Sequence, residues 1–256
     1  MKPAHRLIAF GLCLLWSVAA AAQSPAQSPD YAREKRWAGE ITPAILVGDA
    51  IYLPQKSGHK FLAIHAPLPK ARAGVIVVHG MGMHPDWNLI NVLRSQLSEQ
   101  GYATLSVQMP VLASDARGEQ YPALFPDAAE RLQAAVAFMR DKGHRKIVMV
   151  SHSMGARMVN HFIAAADTSA IDAWVSVGIV NPSFYLQPER FKAPVLDIYG
   201  EKDFPVVLQN AAARAEAIQR VRGSGQISIA GADHYFNGAE SELTRHVKRF
   251  LDNVTR

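Results

Sequence analysis

The apolar run Ile147-Val148-Met149-Val150 breaks at Ser151-His152-Ser153-Met154-Gly155, and a helical pattern begins at once. Of all the features in the chain, this one most restricts the fold. A buried strand must turn into a helix with almost no loop between them, so both elements need small residues where they meet. Positions 151 and 155 provide these, and the sharp turn lifts the Ser153 Oγ clear of the sheet edge. The string alone is not distinctive, since average composition supplies a small-x-Ser-x-Gly match in roughly one chain of five at this length. Its first small residue is also Ser151, where glycine is the usual choice. The surrounding elements have to carry the reading.

Those elements alternate. Gly74 to His79 is a continuous β-branched run, read as a strand buried on both faces. Asn88 to Gln100 places Leu89, Val92, Leu93 and Leu97 at helical spacing, and Gly101 stops it. Tyr102 to Val107 is the next strand, Pro126 to Lys142 a helix, Lys146 to Val150 the strand before the turn, and Met154 to Ala165 the helix after it. Strands follow at Trp174 to Val180, Val195 to Tyr199 and Gln226 to Ile229, with amphipathic helices at Val206 to Val221 and Ser241 to Val254. Upstream, Ala44 to Leu53 and Phe61 to His65 read as two antiparallel edge strands. The expected fold is α/β, a mostly parallel central sheet flanked by helices on both faces. Only about fourteen residues separate Val180 from Val195, too few for a large cap domain there.

The N-terminus reads as a targeting signal over residues 1–22. Lys2 and Arg6 precede an uncharged stretch ending in Ala20-Ala21-Ala22, a small-x-small cleavage pattern. A retained anchor is the alternative, but the apolar stretch is short for a membrane span and a polar segment follows it. The protein is therefore expected to be periplasmic or secreted, with no stable membrane insertion after cleavage. Residues 23–43 read as a flexible lead and 44–256 as the folded domain. The only cysteine, Cys13, lies in the signal, so a mature chain has neither a disulfide nor a thiol nucleophile. Net charge is +5, or +3 without the signal (25 basic against 22 acidic residues), and the basic residues are scattered. Nucleic-acid binding is not expected.

A serine hydroxyl needs a base, a group that orients the base, and donors for a developing oxyanion. In an open parallel sheet these partners should follow the carboxyl ends of strands. Of ten histidines, His234 is the one that follows the last strand; most of the others fall in helices, edge strands or the signal, and His152 should point away from Ser153. For the acid, Asp203 lies just past a strand end on the turn Gly200-Glu201-Lys202-Asp203, whereas Asp197 lies inside the strand and Glu201 inside the turn. The oxyanion donors are expected to be the backbone N–H of Met154, at a helix start, and that of Met81 in His79-Gly80-Met81-Gly82, where glycines let the backbone approach a substrate. His79 and His84 lack an evident third partner for a metal, so neither a metal nor a cofactor is expected. Met83, Trp87, Tyr235 and Phe236 are candidates for substrate contact. Tyr185 is a further apolar candidate.

Taken together, Ser153, Asp203 and His234 in that chain order, His79-Gly80-x-Gly82 and Gly200-x-x-Asp203 resemble the α/β-hydrolase superfamily over roughly residues 44 to 254. The resemblance implies that Ser153 attacks an acyl carbonyl, His234 shuttles the proton and Asp203 orients the imidazole. It implies a small-molecule acyl substrate, most simply an ester or thioester. A non-catalytic binding module on the same fold, or acyl transfer and perhydrolysis at the same site, are the alternatives.

Overall fold

The computed structural model describes residues 27–165, 171–181, 184 and 191–256. Residues 1–26, which hold the expected signal, and Tyr185 lie outside the described residues. Eight strands form one sheet: β1 (Asp49–Pro54), β2 (Lys60–Ala66), β3 (Gly74–Val78), β4 (Ala103–Val107), β5 (Ile147–His152), β6 (Ala173–Val177), β7 (Val195–Lys202) and β8 (Gly225–Asp233). Their order across the sheet is β1-β2-β4-β3-β5-β6-β7-β8. The β3 to β8 strands are parallel, and β1 and β2 are antiparallel. The two N-terminal strands do not both form an edge, because β2 pairs with β4 and leaves β1 outermost.

The helices are α1 (Tyr31–Ile41), α2 (Asn88–Glu99), α3 (Phe125–Asp141), α4 (Met154–Ala165), α5 (Pro205–Gln209), α6 (Ala211–Ile218) and α7 (Glu240–Val254). The helix expected over Val206 to Val221 is split at Asn210, where the backbone leaves helical geometry (φ −99°, ψ 3°). No helix among the described residues is long and apolar enough to cross a membrane.

Two apolar layers hold the sheet. Ile76, Val78, Leu105 and Met149 meet Leu132, Met139, Val159 and Phe162 of α3 and α4. On the other face Val75, Val77, Val148 and Val150 meet Leu93 and Leu97 of α2 and Val247 and Leu251 of α7. Strands β3 to β6 are buried at every residue. This is why they read as unbroken apolar runs, since a parallel sheet covered on both sides has no polar face.

The stretch 23–43 is not simply a flexible lead, because α1 fills most of it. Asp30 caps α1 by accepting the Arg33 N–H at 2.8 Å. The Asp30 N–H donates to Val111 O at 2.7 Å. Glu34, buried on this helix, takes a bidentate contact from the fully buried Arg131 of α3, at 2.9 and 3.1 Å. Burial raises the Glu34 pKa and Arg131 opposes that rise. The helix was missed because its buried face rests on only Ala38, Ile41 and a charged Glu34. No apolar periodicity reports an ion pair.

Candidate active site

Strand β5 ends at His152, and Ser153 makes the turn into α4 with φ of 55°. Left-handed backbone is costly for a residue carrying a Cβ and persists only where the surroundings impose it. Here they do. The Ser153 N–H donates to Val177 O at 2.8 Å, and the Ser153 carbonyl accepts the N–H groups of Ala156 and Arg157. A Cβ at Gly155 would stand 2.3 Å from His79 O and 2.9 Å from Val78 O, so strand β3 and helix α4 touch backbone to backbone.

The structure brings the three residues expected from the sequence together. His234 Nε2 lies 2.9 Å from Ser153 Oγ, and His234 Nδ1 lies 2.6 Å from Asp203 Oδ1. The Asp203 carboxylate also accepts N–H bonds from Phe204 at 2.7 Å and Gly200 at 3.3 Å. Asp203 and His234 are buried, at 4% and 3% exposure, whereas Ser153 is partly open to solvent. The Gly200 turn is as tight as the elbow, since a Cβ there would stand 2.3 Å from Ala232 O. Asp197, the weaker candidate acid, is committed elsewhere, in a buried pair with Arg214 at 2.9 Å.

The loop that follows β3 is held from both ends. His79 is fully buried; its Nδ1–H donates to Gly80 O at 2.8 Å and its Nε2 accepts the Met109 N–H at 2.9 Å. That hydrogen-bonding pattern assigns the tautomer. Burial pushes its pKa down to about 3, so it is neutral at pH 7. Both ring nitrogens are engaged, Nδ1 by Gly80 and Nε2 by Met109 and the Gln108 amide. Farther along, Arg94 Nε binds Asp86 at 2.7 Å and Ser106 Oγ donates to Pro85 O at 2.7 Å. Gly80 itself presses on the elbow, since a Cβ there would lie 3.2 Å from both Ser153 Cβ and His152 Nδ1. Met154 opens α4, where helix geometry leaves its N–H without an intrahelical partner.

Several contributors escaped the sequence reading. The Phe204 ring stacks on His234, with centroids 4.0 Å apart at 21°. It covers the imidazole and can stabilise the imidazolium through its π face. The only hint in the sequence is that this residue follows Asp203. Gly178 (φ 57°) makes room for the pair, because a Cβ there would meet the His234 ring at 3.2 Å and Asp203 Oδ2 at 3.3 Å. His152 does turn away from Ser153, and its Nε2 donates to the His234 carbonyl at 2.9 Å, so the elbow grips the loop that carries His234. Burial pushes the His152 pKa down to about 4.

Ser151 also has a physical role. Its Oγ accepts the indole N–H of the fully buried Trp174 at 2.7 Å. Glycine at this position would leave that donor unpaired. Ser151→Ala is expected to lower unfolding free energy by about 1–3 kcal/mol with little change in any activity at Ser153. Urea denaturation read beside an activity assay checks this.

A cavity of about 340 Å³ adjoins the site, and Met83, Trp87 and Tyr235 line it together with Met81 and His152. Phe236 does not line it. With φ of 56° it turns into the core against α7 and is 0% exposed. The turn that presents Tyr235 to solvent sends its neighbour inward.

Two of the buried histidines, His79 and His152, make stability depend on pH. Their folded pKa values, about 3 and about 4, lie below the ordinary value of 6.5. Between these limits the unfolded chain binds more protons, so stability falls as pH drops from about 6.5 toward 4 and below. The loss is on the order of a few kcal/mol in total. The expected result is a urea midpoint that declines over this window, and less steeply in His152→Gln. An unchanged slope in that variant would count against a neutral buried imidazole.

The sheet order, the helices on both faces and the strand-turn-helix at Ser153 define an α/β-hydrolase fold. Solved structures agree. Dienelactone hydrolase from Anabaena variabilis is 23% identical, with 81% of this chain and 97% of that one covered at a TM-score of 0.65. Est1E from Butyrivibrio proteoclasticus is 19% identical over 80% and 98% at 0.63. A serine hydrolase from Xanthomonas campestris described as lacking a lid is 16% identical over 82% and 95% at 0.62. At these identities the likeness establishes the fold. The chain belongs to the family described as protein of unknown function DUF3530, whose model matches residues 6–127 and 113–253. No curated protein matches it.

Proposed function

We propose that this protein is an exported serine hydrolase, a carboxylesterase acting on a small or medium ester or thioester. The observation that carries the reading is the continuous path Ser153 Oγ, His234 Nε2, His234 Nδ1, Asp203 Oδ1, with steps of 2.9 and 2.6 Å, built on a serine at φ 55°. In this reading His234 takes the Ser153 proton as Oγ attacks the acyl carbonyl. Asp203 holds the imidazole in the right tautomer and stabilises the imidazolium. The N–H groups of Met81 and Met154 receive the oxyanion. The protonated His234 then gives its proton to the leaving alcohol or thiol, and water, deprotonated by the same base, releases the acid from the acyl-enzyme. Met83, Trp87 and Tyr235 offer apolar contact for the part of the substrate lying in the 340 Å³ cavity.

Labelling with a fluorophosphonate probe tests the reading. Wild type is expected to be labelled and Ser153→Ala is not. A folded wild-type protein that stays unlabelled would sink the catalytic reading and favour a binding module on the same fold. Export is supported by the charged and apolar pattern of residues 1–22. A mature N-terminus at Gln23, found on protein recovered outside the cytoplasm, is the expected result.

A further inference from the structure

The first turn of α1 grips the segment that leaves β4, residues 108–112, at three carbonyls. The Asp30 N–H donates to Val111 O at 2.7 Å, and Arg33 Nη1 donates to Leu112 O at 2.8 Å. Arg131, paired with Glu34 of this helix, donates to Gln108 O at 3.0 Å. The same segment holds the end of β3, through the Met109 N–H on His79 Nε2. Arg33 also reaches the next loop directly. Gly82, at φ 69°, lies in the turn of residues 80–83, whose own hydrogen bond, Met83 N–H to Gly80 O, is long at 3.4 Å. A Cβ added at Gly82 would meet Arg33 Nη2 at 3.8 Å and no other described atom within 4 Å. The guanidinium therefore lies on the outer face of this turn, while the inner face, at Gly80, presses on Ser153 and His152. Its plane is held in turn by Trp37, whose ring centroid is 4.5 Å from Arg33 Cζ and 5.7 Å from the centroid of the His84 ring.

We propose that Arg33 is a positioning residue, which fixes the turn of residues 80–83 and with it the Met81 N–H against the elbow. The proposal rests on the reading of Ser153 as nucleophile and Met81 as oxyanion donor. A turn closed by one long hydrogen bond does not hold itself, and a donor displaced by about 1 Å loses most of its effect on an oxyanion. Arginine suits the task because its planar fork can donate to Leu112 O, stack on Trp37 and present its other edge to Gly82 at once. The compact ammonium of lysine cannot do all three. Helix α1 would thus belong to the catalytic apparatus although it carries no member of the triad.

Kinetics and amide exchange on the full mature chain test the proposal. Arg33→Ala is expected to lower kcat on para-nitrophenyl acetate about ten- to hundredfold, with KM within about threefold of wild type. Affinity for a trifluoromethyl ketone should fall by the same factor as kcat. Ser153 Oγ adds to the ketone carbon, the C=O π pair moves onto oxygen, the serine proton passes to His234, and the oxyanion formed needs the Met81 N–H. Arg33→Lys should recover little, and Arg36→Ala, at an exposed position of the same helix, should behave as wild type. The Met83 amide should exchange about fivefold faster in Arg33→Ala, while the amides of α4 keep their wild-type rates. Trp37→Leu leaves the Leu112 bond in place and should move kcat, ketone affinity and Met83 exchange in the same direction by about threefold, independently of how Arg33→Ala folds. The proposal is overturned by wild-type kcat or wild-type Met83 exchange in a folded Arg33→Ala, by a rise in KM alone, or by full recovery in Arg33→Lys, which would make the effect one of charge. A wild type that neither turns over the ester nor takes the fluorophosphonate would sink the hydrolase reading instead, and Met83 exchange would still decide whether Arg33 holds the turn.

Discussion

Ser153→Ala is expected to lower kcat on a small activated ester such as para-nitrophenyl acetate by about 10⁴- to 10⁶-fold, and His234→Ala by a similar factor. The size follows from the geometry. Ser153 Oγ and His234 Nε2 share one hydrogen bond at 2.9 Å, and neither group is a competent catalyst without the other. The double variant should therefore lose little beyond either single one, because the residues act as a unit. Both variants should fold, since alanine at 234 keeps the backbone carbonyl that receives the His152 Nε2 hydrogen bond. Kinetics on all three proteins decide the matter. Losses that multiply in the double variant, or a Ser153→Ala protein within tenfold of wild type, would count against a serine–histidine pair.

Gly155→Ala is expected to have the largest effect on stability, a loss of about 3–5 kcal/mol or failure to fold. Its new methyl would sit 2.3 Å from His79 O and 2.9 Å from Val78 O, backbone atoms at and just past the end of β3 that cannot swing aside. Relief requires β3 and α4 to separate, which would also shift Ser153 and the Gly80 loop. Gly39→Ala is the control. It lies in a helix with open space around it, and alanine there should raise stability by about 0.5–1 kcal/mol. Chemical denaturation of both variants checks the contrast. Equal and small effects would mean that the close approach of strand and helix is not what requires glycine at 155.

Much of the site was legible because strand ends are marked in the chain. Ser153 and Asp203 follow runs that the sheet largely buries, visible as unbroken apolar stretches, whereas His234 follows the edge strand β8, in which only Ile229 and Ala232 are buried. Phe236 was misplaced because sequence gives proximity to His234 but not the sign of φ. Tyr235 and Phe236 are neighbours with opposite fates, one 45% exposed and the other 0%. The lead at 23–43 was misread for a different reason. Helix α1 is held by Glu34 against Arg131, residues far apart in the chain whose pairing leaves no local pattern.

By itself the sequence determined the alternation of strands and helices, the placement of Ser153, Asp203 and His234 just past strand ends, and the small residues at the elbow. Those features are local, set by periodicity, side-chain size and turn chemistry within a few residues. Only the tertiary structure decided the rest. It put Ser153 at φ 55°, closed the Asp203–His234 distance to 2.6 Å, stacked Phe204 on the imidazole and gave Ser151 the Trp174 indole to accept. Each of these joins residues from different strands or loops. Burial of both sheet faces fixes where those strand ends meet, and no single segment holds that information.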